Sequence, residues 1–262
     1  MSKQAELSIS RVTRPPTATI VYQPAIDSPV TTTPDTAPGL AMTAATAPNA
    51  ATGLSILYAD ADLIVIDKPA ELLSVPGRGE HLQDCVASRA QALYPDALIV
   101  HRLDMSTSGL LVLARGALAQ RTLSITFAER RVNKRYQAVV AGRPDQAAGT
   151  IDLPLRCDWP NRPRQMVDHA LGKPSVTHWR TLSAWAGTDI KATRIELEPV
   201  TGRSHQLRVH LLALGHPILG DNLYAPADAR AAAPRLLLHA CELTLPHPTR
   251  SELLRFSSEV PF

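Results

Sequence analysis

The stretch VHRLDMSTSGLLVLAR (100–115) sets one carboxylate, Asp104, two residues after Arg102 and three after His101, at the edge of an apolar run. An aspartate in such a place often serves only the turn, here by capping the Thr107–Ser108 step. Beside an apolar floor, however, a carboxylate is partly desolvated, and a nearby cation decides whether it stays charged and able to react. Asp104 is therefore a candidate nucleophile or base, with His101, Arg102 and Thr107 as candidate substrate contacts around it.

A second candidate region is TGRSHQLRVH (201–210). Read as the opening of a helix over 202–215, it places Arg203, Leu207, His210, Leu211 and Leu214 on one face. Core packing explains Leu211 and Leu214. Arg203 would lie in the first turn, where the helix dipole disfavours a cation unless an anion meets it. Asp104 is the anion expected there. Tyr136, in KRYQAVV, is an ordinary β-former. It is also one of few aromatics (4% of the chain) and adjoins the basic run RRVNKR, which suits a platform for stacking a base. A second basic cluster, RCDWPNRPR (156–164), carries Arg156, Arg162 and Arg164 beside Trp159. Such pairings of cations with aromatics favour a phosphate-binding surface.

Two short strands, LSILY and LIVIDKP, open the ordered pattern, and the Lys68–Pro69 step ends the second because proline offers no N–H to a ladder. Helical spacing covers 82–94, 117–131 and 202–215. Strands are expected at 98–100, 109–114 and 134–142, in TIDLPL, SVTHWRTLSAW and IKATRIELEPV, and at 235–245. Strands outnumber helices and short turns join most neighbours, which predicts an α+β fold around a large mixed or mainly antiparallel sheet flanked by helices.

Residues 1–52 differ from the rest: Thr, Pro and Ala make up more than half of them, and no apolar periodicity runs through. They are expected to be a disordered leader, with a single catalytic domain over 53–262, a size that buries roughly 70% of the surface of its unfolded chain. No segment approaches the ~20 apolar residues that span a bilayer, so no membrane association is expected. The three cysteines form no CxxC pair, which argues against structural zinc and disulfides and fits a reducing, cytoplasmic setting. The histidines near the motifs (His101, His205, His210, His239) show no HxH or HxxxH spacing, so no metal is expected. The net charge of +3 permits a nucleic-acid partner without demanding one.

HRLDMSTSGLLVLAR, KRYQAVV and TGRSHQLRVHLLALGHPILGD, in this order, resemble the RluA family of RNA pseudouridine synthases. LLSVPGR, CDWPNRPRQ, GKP and APRLLLHA resemble its dual-specificity 23S rRNA/tRNA subgroup. The resemblance spans about Leu54 to the end and does not account for the Thr/Pro/Ala leader. It implies the pseudouridine synthase fold without an N-terminal basic RNA-binding module, and isomerisation of uridine in structured RNA without cofactor or metal. The implied targets are a uridine of a tRNA anticodon stem-loop and one of a 23S rRNA hairpin. Neither DNA nor an obligate oligomer is implied. Asp104 matches the essential aspartate, acting at ribose C1′, at base C6 or through a glycal. Arg203 matches its paired arginine, Tyr136 the tyrosine under the flipped base, Leu207 the aliphatic residue beside it, and Arg102 the arginine that enters the RNA. His101, Thr107 and Arg162 lie within matched stretches as further substrate contacts. Two other classes stand beside this reading: an RNA-binding module without chemistry, and a glycosidase-like hydrolase pairing Asp104 with Asp60, Asp62 or Asp67.

Overall fold

A computed structural model of the 262-residue chain describes residues 51–262 and the pair Ala41–Met42. Apart from that pair, the leader expected over 1–52 lies almost wholly outside the described residues. In chain order the strands are β1 (Ala41–Met42), β2 (Ser55–Ala59), β3 (Leu63–Lys68), β4 (Ala97–Ile99), β5 (Ser108–Arg115), β6 (Asn133–Ala141), β7 (Ala148–Asp152), β8 (Leu155–Cys157), β9 (Gln165–Val167), β10 (Val176–Trp185), β11 (Ala192–Pro199), β12 (Leu238–Pro246) and β13 (Leu253–Ser257). Four helices join them: α1 (Val86–Leu93), α2 (Gly116–Ala128), α3 (Gln206–Ala213) and α4 (Ala227–Ala231).

Eleven strands form one mixed sheet with the path β2-β3-β5-β12-β6-β11-β10-β7; β4 adds to β5, β13 to β12, and β1 to β13. The mainly antiparallel α+β architecture expected from the sequence is therefore present. Two contacts are parallel, β5 with β12 and β1 with β13. A separate hairpin, β8–β9, carries the second basic cluster.

The apolar run after HRLD is buried on both faces, and its period of two sorts it between them. Leu111 and Leu113 join a core with Ile64, Ile66, Leu103, Tyr136 and Leu207. Leu110, Val112 and Ala114 join another with Leu63, Val65 and Leu123 of α2. Gly109, the second residue of this strand, has φ 109°, and a Cβ there would meet Ala240 O at 2.3 Å. Only glycine lets β5 approach β12 this closely.

Candidate active site

Asp104 stands in a turn closed by the Thr107 amide, which donates to the Asp104 carbonyl at 3.1 Å. Thr107 itself is buried. Two side chains hold this turn from below. Ser74 donates to Leu103 O at 2.7 Å and accepts from the Leu103 amide at 3.1 Å. Lys68, wholly buried, donates to the carbonyls of Pro69, Leu72 and Met105 at 2.8, 2.8 and 2.9 Å. Burial pulls its pKa down to about 7, while the Asp104 and Glu71 carboxylates work in the opposite direction. In the sequence Lys68 was legible only as a strand end. Its signal was a lysine at the end of the mostly apolar strand LIVIDK.

A polar chain runs beneath the start of β5. Arg235 donates to Ser108 Oγ at 2.5 Å; Ser108 Oγ lies 2.8 Å from His239 Nδ1; His239 Nε2 lies 3.0 Å from Ser258 Oγ, which donates to Asp67 at 2.7 Å. With the proton on Nε2, every link is satisfied from the cation at one end to the carboxylate at the other. Burial lowers the His239 pKa to about 4, with the Arg235 charge adding to the effect.

The cation facing Asp104 is Arg208, not Arg203. Arg208 Nη1 lies 3.4 Å from Asp104 Oδ2. Its other nitrogens form a two-pronged pair with buried Asp221, Nε to Oδ2 at 2.8 Å and Nη2 to Oδ1 at 2.7 Å. Burial opposes the Arg208 charge, but Asp221 and Asp104 outweigh it and raise the guanidinium pKa. The expectation for Arg203 fails because the helix starts later than the pattern suggested. Residues 202–205 form a turn, His205 takes a left-handed conformation (φ 53°), and α3 begins at Gln206. Gln206 enforces this: its Oε1 accepts from Thr201 Oγ1 and the Arg203 amide, and its Nε2 donates to Val176 O and Thr177 Oγ1. Arg203 is thus left off the helix and exposed at the pocket rim, while α3 is buried from Gln206 to Leu211, which takes Arg208 inward. Asp221, in the quoted GHPILGD, was the missed signal for a buried arginine nearby.

His205 and Tyr224 complete the surroundings of Arg208. Tyr224 OH accepts from the Gln165 amide and lies 2.7 Å from His205 Nδ1. It can therefore donate to Nδ1 and turn the Nε2 proton toward Asp104 Oδ1, 3.9 Å away. Burial lowers the His205 pKa; Asp104 counters this and Arg208 reinforces it. The Arg208 guanidinium lies 5.1 Å from the centre of the Tyr224 ring.

All of this opens into a cavity of about 820 Å³ whose walls include Asp104, Arg102, Thr107, Tyr136, Arg203 and Leu207. Tyr136 and Leu207 are buried, belong to the first core and line the space. Burial raises the Tyr136 pKa, and the Asp104 charge adds to this, so its hydroxyl stays protonated. Among the described residues Asp104 is the only acid in the lining, against Arg102, Arg130, Lys134, Arg203 and Arg208. His101 also lines it, but its ring stacks on Phe127 at 4.4 Å and its Nε2 accepts from the Val112 amide. Burial, helped by the Lys134 charge, lowers its pKa to about 3. Arg162 is not brought to the cavity: it lies over Trp159 at 4.6 Å beside the β8–β9 hairpin.

A pocket with one carboxylate, an enclosed tyrosine and many cations, on this sheet, coincides with a family likeness. The RNA pseudouridylate synthase family matches residues 62–213, and the chain belongs to that family, whose members isomerise uridine in RNA. It is 52% identical over 79% of its length to the dual-specificity RNA pseudouridine synthase RluA of Escherichia coli K12, covering 93% of that protein. Identity to the RluA of Yersinia pestis is 49%, over 79% of this chain and 99% of the relative. The structure of human RNA pseudouridylate synthase domain containing 1 superposes with a TM-score of 0.69 at 31% identity, over 82% of this chain and 86% of that one.

Proposed function

We propose that Asp104 performs the isomerisation on a uridine flipped into this cavity, in the tRNA anticodon stem-loop and in a 23S rRNA hairpin. The observation that carries the assignment is the lining itself: a lone carboxylate, faced by buried Arg208, in a space otherwise charged to receive RNA. Extruding a nucleotide costs a few kcal/mol, least in a loop, and the bordering cations offset part of it. Tyr136 is the surface on which the uracil lies, with Leu207 against its edge. In the reaction N1–C1′ breaks and C5–C1′ forms; C5 gives up its proton and N1 takes one. No electrons are gained or lost, so the chemistry calls for no redox cofactor. Arg102, exposed at the rim, holds the target out of the helical stack, where a planar guanidinium can both stack and donate. Thr107 and His101 shape the floor, Arg203 reaches the RNA from the rim, and Arg162 meets it outside the pocket.

The hydrolase alternative lacks its second acid here. Asp60 and Asp62 are engaged with His247, and Asp67 receives Ser258. None of the three lines the cavity. Residues 53–262 are proposed to be the whole catalytic unit, acting as a monomer. A protein starting at Gly53 is expected to keep turnover within about twofold, checked by steady-state assay.

The test is release of tritium from anticodon stem-loop RNA labelled at uridine C5. Wild type is expected to release it and Asp104→Ala is not. Equal release by both would remove Asp104 from the chemistry. Release by neither, on tRNA and on 23S rRNA, would overturn the assignment.

A further inference from the structure

The mechanism above leaves Lys134, a half-buried cation of the cavity wall, unused. Lys134 lies on β6 two residues before Tyr136, and side chains two apart on a strand share a face. Its ammonium is in the cavity wall beside the turn of the GRSH motif: a Cβ added to Gly202 would lie 3.9 Å from Lys134 Nζ. His101 in the same lining feels the Lys134 charge, and among the described residues no ion pair joins Lys134 to an acid. Burial lowers the Lys134 pKa and no carboxylate counters it, whereas Lys68 and Arg208 each feel Asp104. Lys134 is therefore not a counter-ion of the reactive acid. A half-buried cation with no acid paired to it favours an anion from outside, and this one borders the space that RNA enters.

Resting on the proposed function, we propose that Lys134 is a binding residue for a backbone phosphodiester of the RNA next to the flipped nucleotide. A base lying on Tyr136 leaves its sugar and phosphate to pass along the strand face, and Lys134 is the next side chain on that face. Gly202, next to the ammonium, carries no side chain and so leaves that flank of Lys134 uncovered. A lysine suits the task as a compact point charge that needs no fixed fork geometry.

The experiment measures binding of the anticodon stem-loop RNA by fluorescence anisotropy across a salt series, beside steady-state turnover. Lys134→Gln is expected to weaken binding and to flatten the plot of log affinity against log salt by about one unit, the signature of one lost phosphate contact. Lys134→Arg is expected to restore most of the slope. Turnover should lose more through KM than through kcat. A second measurement needs no variant. Acetylation of the wild-type protein, mapped by peptide mass spectrometry, should modify Lys134 in the free protein and spare it when the RNA is bound. An unchanged salt slope, a loss confined to kcat, or equal acetylation with and without RNA would overturn the proposal. If wild type bound RNA with the Lys134-dependent slope yet released no tritium, the catalytic assignment alone would fall.

Discussion

Two aspartate clusters in this molecule have similar composition and opposite character. At the corner between β2–β3 and β12–β13, Asp60 is saturated: it accepts from Tyr58 OH, the Asp62 and Leu63 amides, His247 Nε2 and Arg250 Nη2 at 2.6–2.9 Å. Burial acts to raise its pKa, and those bonds outweigh it and pull the carboxyl far below the usual range. Asp104 also has an arginine and a histidine beside it, yet among the described residues its side chain accepts a hydrogen bond only from Arg208, at 3.4 Å, with His205 Nε2 farther off at 3.9 Å. The first cluster fastens two hairpins. The second keeps lone pairs uncommitted in a cavity, which a nucleophile or base requires. Asp60, Asp62 and His247 are close enough together to suggest a metal site, but Asp60 already has its acceptor positions filled by protein donors.

Substitutions should separate the clusters. The largest effect is expected at Asp104: Asp104→Asn should cut kcat by at least ~10³-fold, as loss of a reacting group does. Its melting curve should shift by less than about 1 kcal/mol in stability, because little is bonded to that side chain. A stability loss as large as that of the next variant would contradict the comparison. Arg208→Met should abolish turnover and destabilise by about 3–5 kcal/mol, since Asp221 would be left buried and unpaired; urea unfolding checks this. Asp60→Asn should cost about 1–3 kcal/mol through lost bonds to a partly buried charge and leave kcat unchanged.

The smallest effect sharpens the comparison through pH. His239 and His101 have folded pKa values of about 4 and about 3, pushed down chiefly by burial, against roughly 6.5 when unfolded. The unfolded chain binds their protons first, so their contribution is whole above pH 6.5 and is lost as pH falls toward 4 and then 3. Asp60, also depressed, keeps its contribution down to its unfolded value of roughly 3.9 and loses it below that. Stability measured by denaturant titration should thus fall in two stages, and His239→Ala should flatten the upper one.

The sequence made most strands of the sheet, helix α2 and the Asp104 turn legible, because period-two burial and the HRLD edge are local patterns. It misplaced the start of α3, since Gln206 bonds to residues on β10, far away in the chain. That error exchanged Arg203 for Arg208. The β8–β9 hairpin and β13 were not foreseen: three-residue strands around WPNRPR show no periodicity, and LLRFS pairs with β12 only once the sheet exists. The hydrogen bonds of Ser74 and Lys68 to the turn were invisible for the same reason.

The parallel contact of β5 with β12 has a consequence for how the site comes into being. Ser108 meets His239 across 131 positions of chain, and Asp104 meets Arg208 across 104. Contacts of such separation close slowly, and a chain made from its N-terminus has to wait for its distal part. Asp104 therefore emerges from the ribosome long before its cation and the strand that seats its turn. Catalytic competence is among the last properties the nascent protein acquires, and a chain stopped before β12 would carry the HRLD motif without a working centre.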